Sequence, residues 1–305
     1  MNRSYLFAPG NHARRVEKAF ALGADAVILD LEDSVAVAEK EAARRPVAEA
    51  LAARNSGTEP DLGDRAPSPR AYVRVNAMGT PFCFRDLTEV IGRGLDGIVL
   101  PKVESAADLH AIDWLIANLE RERGLAVGAI DLIPAIETAA GMDRVERILQ
   151  ARGLKPYSGS WRVRRVGFGA ADYALDLGIT PAGEEPELLY ARQRLVLASR
   201  NARVEPPLDS PWFKLKDLDG LRASSAASRR MGFQGRMCIH PEQVAPVNES
   251  YAPSAEEVAR AERIVAAFRD AEAKGSAAIQ VEGQMVDYPV MLEAERVLKA
   301  IRSGN

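Results

Sequence analysis

Short apolar runs recur along this 305-residue chain, and most are followed by a stretch with helical spacing of apolar residues. That alternation limits the fold more than any other feature. Parallel strands need a crossover between them, usually a helix, so a strand–helix rhythm points to a parallel α/β sheet. Strands are expected at Tyr5–Phe7, Ala26–Leu31, Ala71–Asn76, Gly97–Pro101, Asp131–Ile136, Arg164–Phe168, Arg203–Glu205 (the faintest) and Arg236–Ile239. Between them, Val16, Ala19, Phe20 and Gly23 share one helical face, as do Leu109, Ile112, Leu115, Ile116 and Leu119. Leu188, Arg192, Leu195, Val196 and Ser199 form another, with Arg192 its one polar member that carries a charge. Eight strands fit a (β/α)₈ TIM barrel of about 250 residues. The competitor, a doubly wound open sheet, is weakened because no G-x-G-x-x-G follows a strand.

The barrel would close near His240, which gives a catalytic domain over 1–250 and leaves 251–305 as a C-terminal helical lid. There Ser254 can cap a helix carrying Val258, Ala261, Ile264, Val265 and Phe268. After the polar string GQMVDYP, a second helix places Val290, Ala294, Val297, Leu298 and Ile301 inward. Ala53–Arg70, rich in Pro, Gly and charge, reads as a surface insertion, and Gly153–Ser160 as a shorter loop.

Composition excludes several classes of function. With 40 basic and 43 acidic residues the net charge is −3, which argues against a nucleic-acid surface. Cys83 and Cys238 are the only cysteines and lack metal-type spacing, so a reducing, cytoplasmic setting is expected. No apolar run approaches the roughly 20 residues that span a bilayer. The opening MNRSYLFAPGNHARR has no long apolar core, so no signal peptide is expected.

The C-terminal strand ends of such a barrel build its active site. The second strand runs into Asp30, Glu32 and Asp33, and packing does not ask for three carboxylates there. An N-cap explains one acid but not three, and clustered negative charge is costly unless a cation or donors meet it. At the first strand end a turn with a cap at Asn11 accounts equally well for Pro9, Gly10 and Asn11. On the third strand Tyr72, Arg74 and Asn76 share a face. Arg74 is either a counter-ion for the acids of the second strand or a clamp for a substrate anion, and the clamp is favoured because a guanidinium fork suits carboxylates. Lys102 could form an imine or pair with a carboxylate, and the pairing is favoured. Glu137 follows the fifth strand, with Thr138 able to cap the next helix, and Asp172 follows the sixth amid Gly167, Gly169, Ala170 and Ala171. Two carboxylates at neighbouring strand ends suit Mg²⁺, which takes one or two of them with water and substrate. His240, a lone histidine, is at least as readily a hydrogen-bonded core residue as an acid or base.

Taken together, RSYLFAPGN, KAFALGADAVILDLEDSVAVAEK, VRVNA, DGIVLPKVES, IPAIETAAG, FGAADYALDLG, GFQGRMCIHPEQV and GQMVDYPV resemble the citrate lyase β-subunit-like group of the HpcH/HpaI aldolase superfamily. Malyl-CoA and citramalyl-CoA lyases belong to that group. The likeness covers nearly the whole chain in order and departs at the Ala53–Arg70 insertion and the Gly153–Trp161 connection.

The resemblance implies Glu137 and Asp172 as direct ligands of Mg²⁺ (or Mn²⁺). It implies Glu32 and Asp33 as acids that hold the ion's waters or orient Arg74. Arg74 would bind the oxygen that becomes an enolate. Arg3 and Lys18 match positions near the phosphates of CoA, which enters as part of the substrate. Asp287 matches an acid/base that reaches a neighbouring subunit in a homotrimer or hexamer. Lys102 and His240 fall to supporting roles. The implied reaction is cleavage of a 3-hydroxy-3-carboxyl acyl-CoA into acetyl-CoA and a 2-oxo acid. Thioester hydrolysis and a subunit role in a citrate lyase complex stay open beside it, and so does the acyl group.

Overall fold

The computed structural model describes residues 2–56, 68–153, 155–157, 161–183 and 185–302. They separate into two compact units, one within 2–248 and one within 249–302. The larger is a closed barrel of eight parallel strands: β1 (Ser4–Pro9), β2 (Ala26–Asp30), β3 (Arg70–Arg74), β4 (Gly97–Leu100), β5 (Asp131–Ile136), β6 (Gly167–Phe168), β7 (Leu208–Asp209) and β8 (Gly235–Cys238). The helices between them are α1 (Ala13–Ala19), α2 (Lys40–Ser56), α3 (Cys83–Val90), α4 (Ala106–Glu122), α5 (Ala139–Asp143), α6 (Val145–Ala151), α7 (Ala170–Leu177), α8 (Leu189–Asn201) and α9 (Leu218–Met231). β8 pairs with β1 and closes the ring. Among the described residues no helix is long and apolar enough to cross a membrane.

Side chains alternate across a strand, so every second residue points into the barrel. Tyr5, Ala26, Ile28, Tyr72, Val99, Ile133, Ala135, Leu208 and Met237 fill it, with Phe7 packed against them. The lower plug is polar as well. Tyr72 donates to Asp131 at 3.0 Å, and Arg165 meets both groups at the start of β5. Burial raises the Tyr72 hydroxyl well above its ordinary range, and Asp131 adds to the shift. Continuing the same two-residue step past the apolar layers brings Asp30, Arg74, Glu137, Ser210 and Ile239 to the upper mouth. The barrel's own register thus decides which polar residues meet.

Two glycines let strand ends come close together. A Cβ on Gly10 would lie 2.8 Å from the Asp30 carbonyl, which accepts the Gly10 amide at 2.8 Å. A Cβ on Gly169 would fall 2.4 Å from Glu137 Cγ.

Several expectations need correction. The seventh strand is Leu208–Asp209, not Arg203–Glu205. Arg203 has φ +55° in the turn that leaves α8, the Glu205 amide donates to the Arg164 carbonyl at 2.7 Å, and the ladder itself begins after the two prolines, at Leu208. The third strand ends at Arg74, so Asn76 does not share the mouth with it. Asn76 is buried against Asp86 of α3, at 2.7 Å, and the Leu31 carbonyl. Asn11 does not cap α1: His12 holds that position, and Asn11 donates to Glu39 at 2.6 Å. Neither Asp33 nor Ser34 caps a helix, since Ala36 precedes the short 3₁₀ turn there. Helix α2 runs through Ser56, so the insertion starts later than Ala53, and its bulk at 57–67 lies outside the described residues. Much of Gly153–Ser160 lies outside them too.

Two caps form as read: Thr138 accepts the Gly141 amide at 3.0 Å, and Ser254 forms a capping box with Glu257. In the smaller unit α11 (Ala255–Ala273, with α10 being Val244–Tyr251) and α12 (Tyr288–Arg302) pack around Phe268, Val265 and Val286. The GQMVDYP string was expected as a link between helices. Its first half instead forms the second strand of an antiparallel hairpin, β9 (Ile279–Val281) with β10 (Gln284–Val286). Glu282 and Gly283, both at positive φ, make the tight turn.

A pair of arginines encloses the buried carboxylate of Asp209. Arg236 reaches it at 2.6 Å and Arg192 at 3.0 Å. Burial opposes the Asp209 charge, yet the two guanidinium groups overcome that cost and hold its carboxyl below the usual range. A carboxyl depressed on folding adds stability above its unfolded pKa of about 3.9 and loses it as pH falls through the lower folded value. Urea unfolding of Asp209→Asn beside the unaltered protein is therefore expected to show a wide gap in midpoint at pH 6–7, narrowing below about pH 4. A gap independent of pH would contradict it.

Candidate active site

Asp30 sits at the last position of β2, opposite Arg74 at the last position of β3. Arg74 grips it with two nitrogens, Nε at 2.7 Å and Nη2 at 2.8 Å. The same carboxylate accepts the amides of Glu32 and Ser34, both at 3.0 Å, and so shapes the loop that carries the other acids. Burial works against the Asp30 charge, but Arg74 more than offsets it and lowers its carboxyl below the ordinary range. Lys40, opening α2, holds the same loop by its carbonyls at Leu31 (3.1 Å) and Glu32 (2.8 Å).

The counter-ion arrangement for Arg74 is therefore the one observed. Its remaining nitrogen, Nη1, faces Glu32 at 3.2 Å and Asp33 at 3.5 Å, and its guanidinium lies 4.7 Å from the Phe7 ring centre. Burial disfavours the guanidinium charge, but Asp30 outweighs it and raises the group above its usual range. Nη1 is the nitrogen that Asp30 does not engage.

Lys102 carries the third strain of charge. It follows β4 with φ +51°, a left-handed conformation that is costly for a side chain with a Cβ. Its Nζ reaches Glu32 at 2.7 Å, Asp172 at 3.7 Å, Glu137 at 3.9 Å and Asp33 at 4.0 Å. The pairing role expected for it is what the structure shows. Burial opposes the ammonium charge, yet Glu32 and the other acids hold it above its ordinary range. Burial raises the Glu32 carboxyl, with Arg74 and Lys102 offsetting part of the shift.

Glu137 continues the inward face of β5, and its Oε2 accepts the Lys102 amide at 3.1 Å. Burial, with the charge of Glu32 behind it, pushes its carboxyl up to about 8. Asp172 lies in the first turn of α7, where a negative charge suits the helix dipole. Both line a cavity of about 390 Å³ together with Asp30, Asp33 and Arg74. Its other wall is apolar, from Phe7, Val99, Met237, Ile239, Pro211 and Phe213. Lys102 also lines a second cavity, of about 410 Å³, with Glu104, Asp108 and Arg144.

The donor set suits a divalent cation. Among the described residues, Asp30, Glu32, Asp33, Glu137 and Asp172 pair with Arg74 and Lys102 alone, which leaves carboxylate charge in excess. Glu32 Oε2 is buried with Arg74 Nη1 at 3.2 Å. Among the described residues no three His, Cys, Asp or Glu side chains form a ready-made cage. Two carboxylates with open positions match a hard ion that keeps water or substrate oxygens.

Other expected residues make local contacts of their own. Arg3 precedes β1 at the lower end of the barrel, roughly 20 Å from the mouth by strand length. Its guanidinium forks onto Asp25 at 3.1 and 3.2 Å. Lys18 is exposed in the last turn of α1, the turn that returns toward that lower end. Neither meets the acids of the mouth; the resemblance set both near the phosphates of CoA. Asp287 caps α12 in the smaller unit, accepting the Val290 amide at 3.3 Å. His240 accepts the Glu242 amide at 3.3 Å, a local turn contact.

Sequence reading passed over Phe7, Met237 and Ile239, although strand alternation would have revealed them. It could not have found Ser210 or Phe213, because the two-residue β7 leaves no periodic signal.

The family profile described as HpcH/HpaI aldolase/citrate lyase matches residues 3–241. The chain is 36% identical to the citrate lyase subunit beta of Leuconostoc mesenteroides subsp. cremoris, over 100% of this chain and 95% of that protein. It is 35% identical to the L-malyl-CoA/beta-methylmalyl-CoA lyase of Rhodobacter capsulatus, over 98% and 94%. Its fold matches the crystal structure of protein CitE from Mycobacterium tuberculosis in complex with magnesium, acetoacetate and coenzyme A. That match has a TM-score of 0.76 and 32% identity, and covers 100% of this chain and 98% of the other. With its closed barrel and its cluster of acids at the strand ends, the chain belongs to the HpcH/HpaI aldolase/citrate lyase family and is a carbon–carbon lyase.

Proposed function

We propose that this enzyme cleaves a 3-hydroxy-3-carboxyl acyl-CoA of the malyl or citramalyl kind into acetyl-CoA and a 2-oxo acid. The observation that carries the reading is the convergence of Glu137 and Asp172 on one cation position, Lys102 Nζ standing 3.9 and 3.7 Å from them at the mouth of the barrel. The magnesium and coenzyme A bound by the similar CitE protein support it.

Glu137 and Asp172 would hold Mg²⁺. When bound, the ion supplies Lewis-acid polarisation to the hydroxyl and carboxylate oxygens of a substrate. Glu32, steadied by Lys102 and Arg74, and Asp33 keep water and charge ordered around that position. The substrate hydroxyl gives its proton to this carboxylate cluster. The adjacent carbon–carbon bond then breaks, and its electron pair moves onto the thioester fragment as an enolate. Arg74 offers Nη1 to the enolate oxygen, where charge develops mainly in the transition state. A proton returns to the enolate carbon to give acetyl-CoA. The resemblance assigns that delivery to Asp287 of a neighbouring copy in a trimer or hexamer.

The Leuconostoc relative keeps a second reading in play, the lyase subunit of a citrate lyase complex. A panel of malyl-, methylmalyl-, citramalyl- and citryl-CoA thioesters with Mg²⁺ tests both readings. Glyoxylate or pyruvate release supports the free-standing lyase. Oxaloacetate from citryl thioesters alone favours the subunit. Free malate or citramalate with no oxo acid identifies a thioesterase instead.

Arg74→Ala would leave Asp30 buried without its partner, at about 3–5 kcal/mol of stability, so Arg74→Lys is the informative variant. It is expected to lower kcat about 10²-fold or more with little change in KM, as for loss of one donor to a developing oxyanion. Glu137→Ala should abolish Mg²⁺-dependent turnover and weaken Mg²⁺ binding by calorimetry, while Glu32→Gln and Asp33→Asn weaken both without abolishing binding. Full activity in Glu137→Ala would remove Glu137 from the metal site.

A further inference from the structure

The helix that carries Asp172 has no cap of its own. Its N-cap position is Gly169, which offers no side chain to the free amides of the first turn. No capping residue can replace it, since a Cβ there would meet Glu137 Cγ at 2.4 Å and Oε1 at 2.5 Å. The close packing of Glu137 thus excludes the usual Ser, Thr or Asp.

The cap comes from another strand. Ser210, just past β7 and 2% exposed, accepts the amide of Ala170, the first residue of α7, at 3.1 Å. Ser210 is itself fixed, because its amide donates to Asp209 at 2.9 Å. Asp209 is held in turn by Arg192 of α8 and Arg236 of β8. Arg192 also donates to Glu185 at 2.7 Å, and its guanidinium lies 6.0 Å from the Phe168 ring centre on β6. One rigid chain of contacts therefore runs from three elements through Asp209 and Ser210 to the start of α7. Asp172 lies two residues beyond that contact.

We propose that Ser210 is a positioning residue: it caps α7 from the neighbouring strand and sets the place of Asp172 for the divalent cation. The inference rests on the metal reading of Asp172 given above. It requires no contact of Ser210 with substrate, although its hydroxyl also borders the cavity.

The test uses the whole protein without acyl-CoA, so that substrate contacts cannot contribute. Mn²⁺ binding is followed by electron paramagnetic resonance, and amide hydrogen exchange by mass spectrometry. Ser210→Ala should weaken Mn²⁺ binding about tenfold, the low end of what loss of an outer support to a metal ligand costs. It should also speed exchange in the Ala170–Tyr173 segment, and Ser210→Thr, which keeps the oxygen, should restore both. Asp172→Asn serves as the reference and should weaken Mn²⁺ binding more than Ser210→Ala. Unchanged exchange at α7 in Ser210→Ala overturns the cap. Unchanged Mn²⁺ affinity in Ser210→Ala, with Asp172→Asn impaired, overturns the positioning role and leaves the metal reading standing. Full Mn²⁺ affinity in Asp172→Asn overturns the metal reading itself, and the positioning proposal with it.

Discussion

The Asp30–Arg74 pair is the interaction on which the mouth of this barrel depends. The strand register sets the two residues side by side, and the guanidinium closes on the carboxylate with two nitrogens. In water such a contact is worth little; inside a barrel it becomes obligatory, because either charge left alone is expensive. One partner cannot change without the other. Asp30 spends its remaining capacity on the amides of Glu32 and Ser34, so the ion pair also dictates the path of the acidic loop. The catalytic arginine of the proposed reaction is thus mostly a structural arginine, with one nitrogen that Asp30 does not engage.

Charge around that pair is arranged in layers. Lys102 adopts a left-handed backbone to bring its ammonium among four carboxylates, and that strain is tolerable only because the surrounding acids reward it. Glu137, buried beside Glu32, holds its proton more tightly than an ordinary carboxyl. A divalent ion would relieve that repulsion better than a proton does. The apolar wall opposite, built from Phe7, Met237 and Ile239, keeps the dielectric low and makes each of these interactions count for more.

Much of the site was legible because the polar residues interrupt otherwise apolar strands. Glu137 after Ile133–Ala135 and Asp30 after Ala26–Ile28 stand out by the two-residue step alone. Arg74 was legible as a residue but not in its role: clamp and counter-ion look alike in a string of letters, and only the Asp30 contact separates them. Asp30 stood in the sequence as one of three clustered acids, whereas the structure makes it the organiser of the loop. The seventh strand was misplaced because two residues cannot show a period, and with it went Ser210 and its support of α7. Arg3, which the resemblance set near the phosphates of CoA, lies a six-residue strand away from the mouth.

The amino-acid sequence by itself determined the parallel α/β alternation, the inward apolar faces and the residue types at most strand ends. These are local matters, written in spacings of two and of three to four residues. The tertiary structure alone decided which charges pair, which glycine must stay bare and which helix is capped from another strand. Such decisions depend on contacts between residues tens of positions apart, as between Asp30 and Arg74 or Ala170 and Ser210, and no local spacing records them.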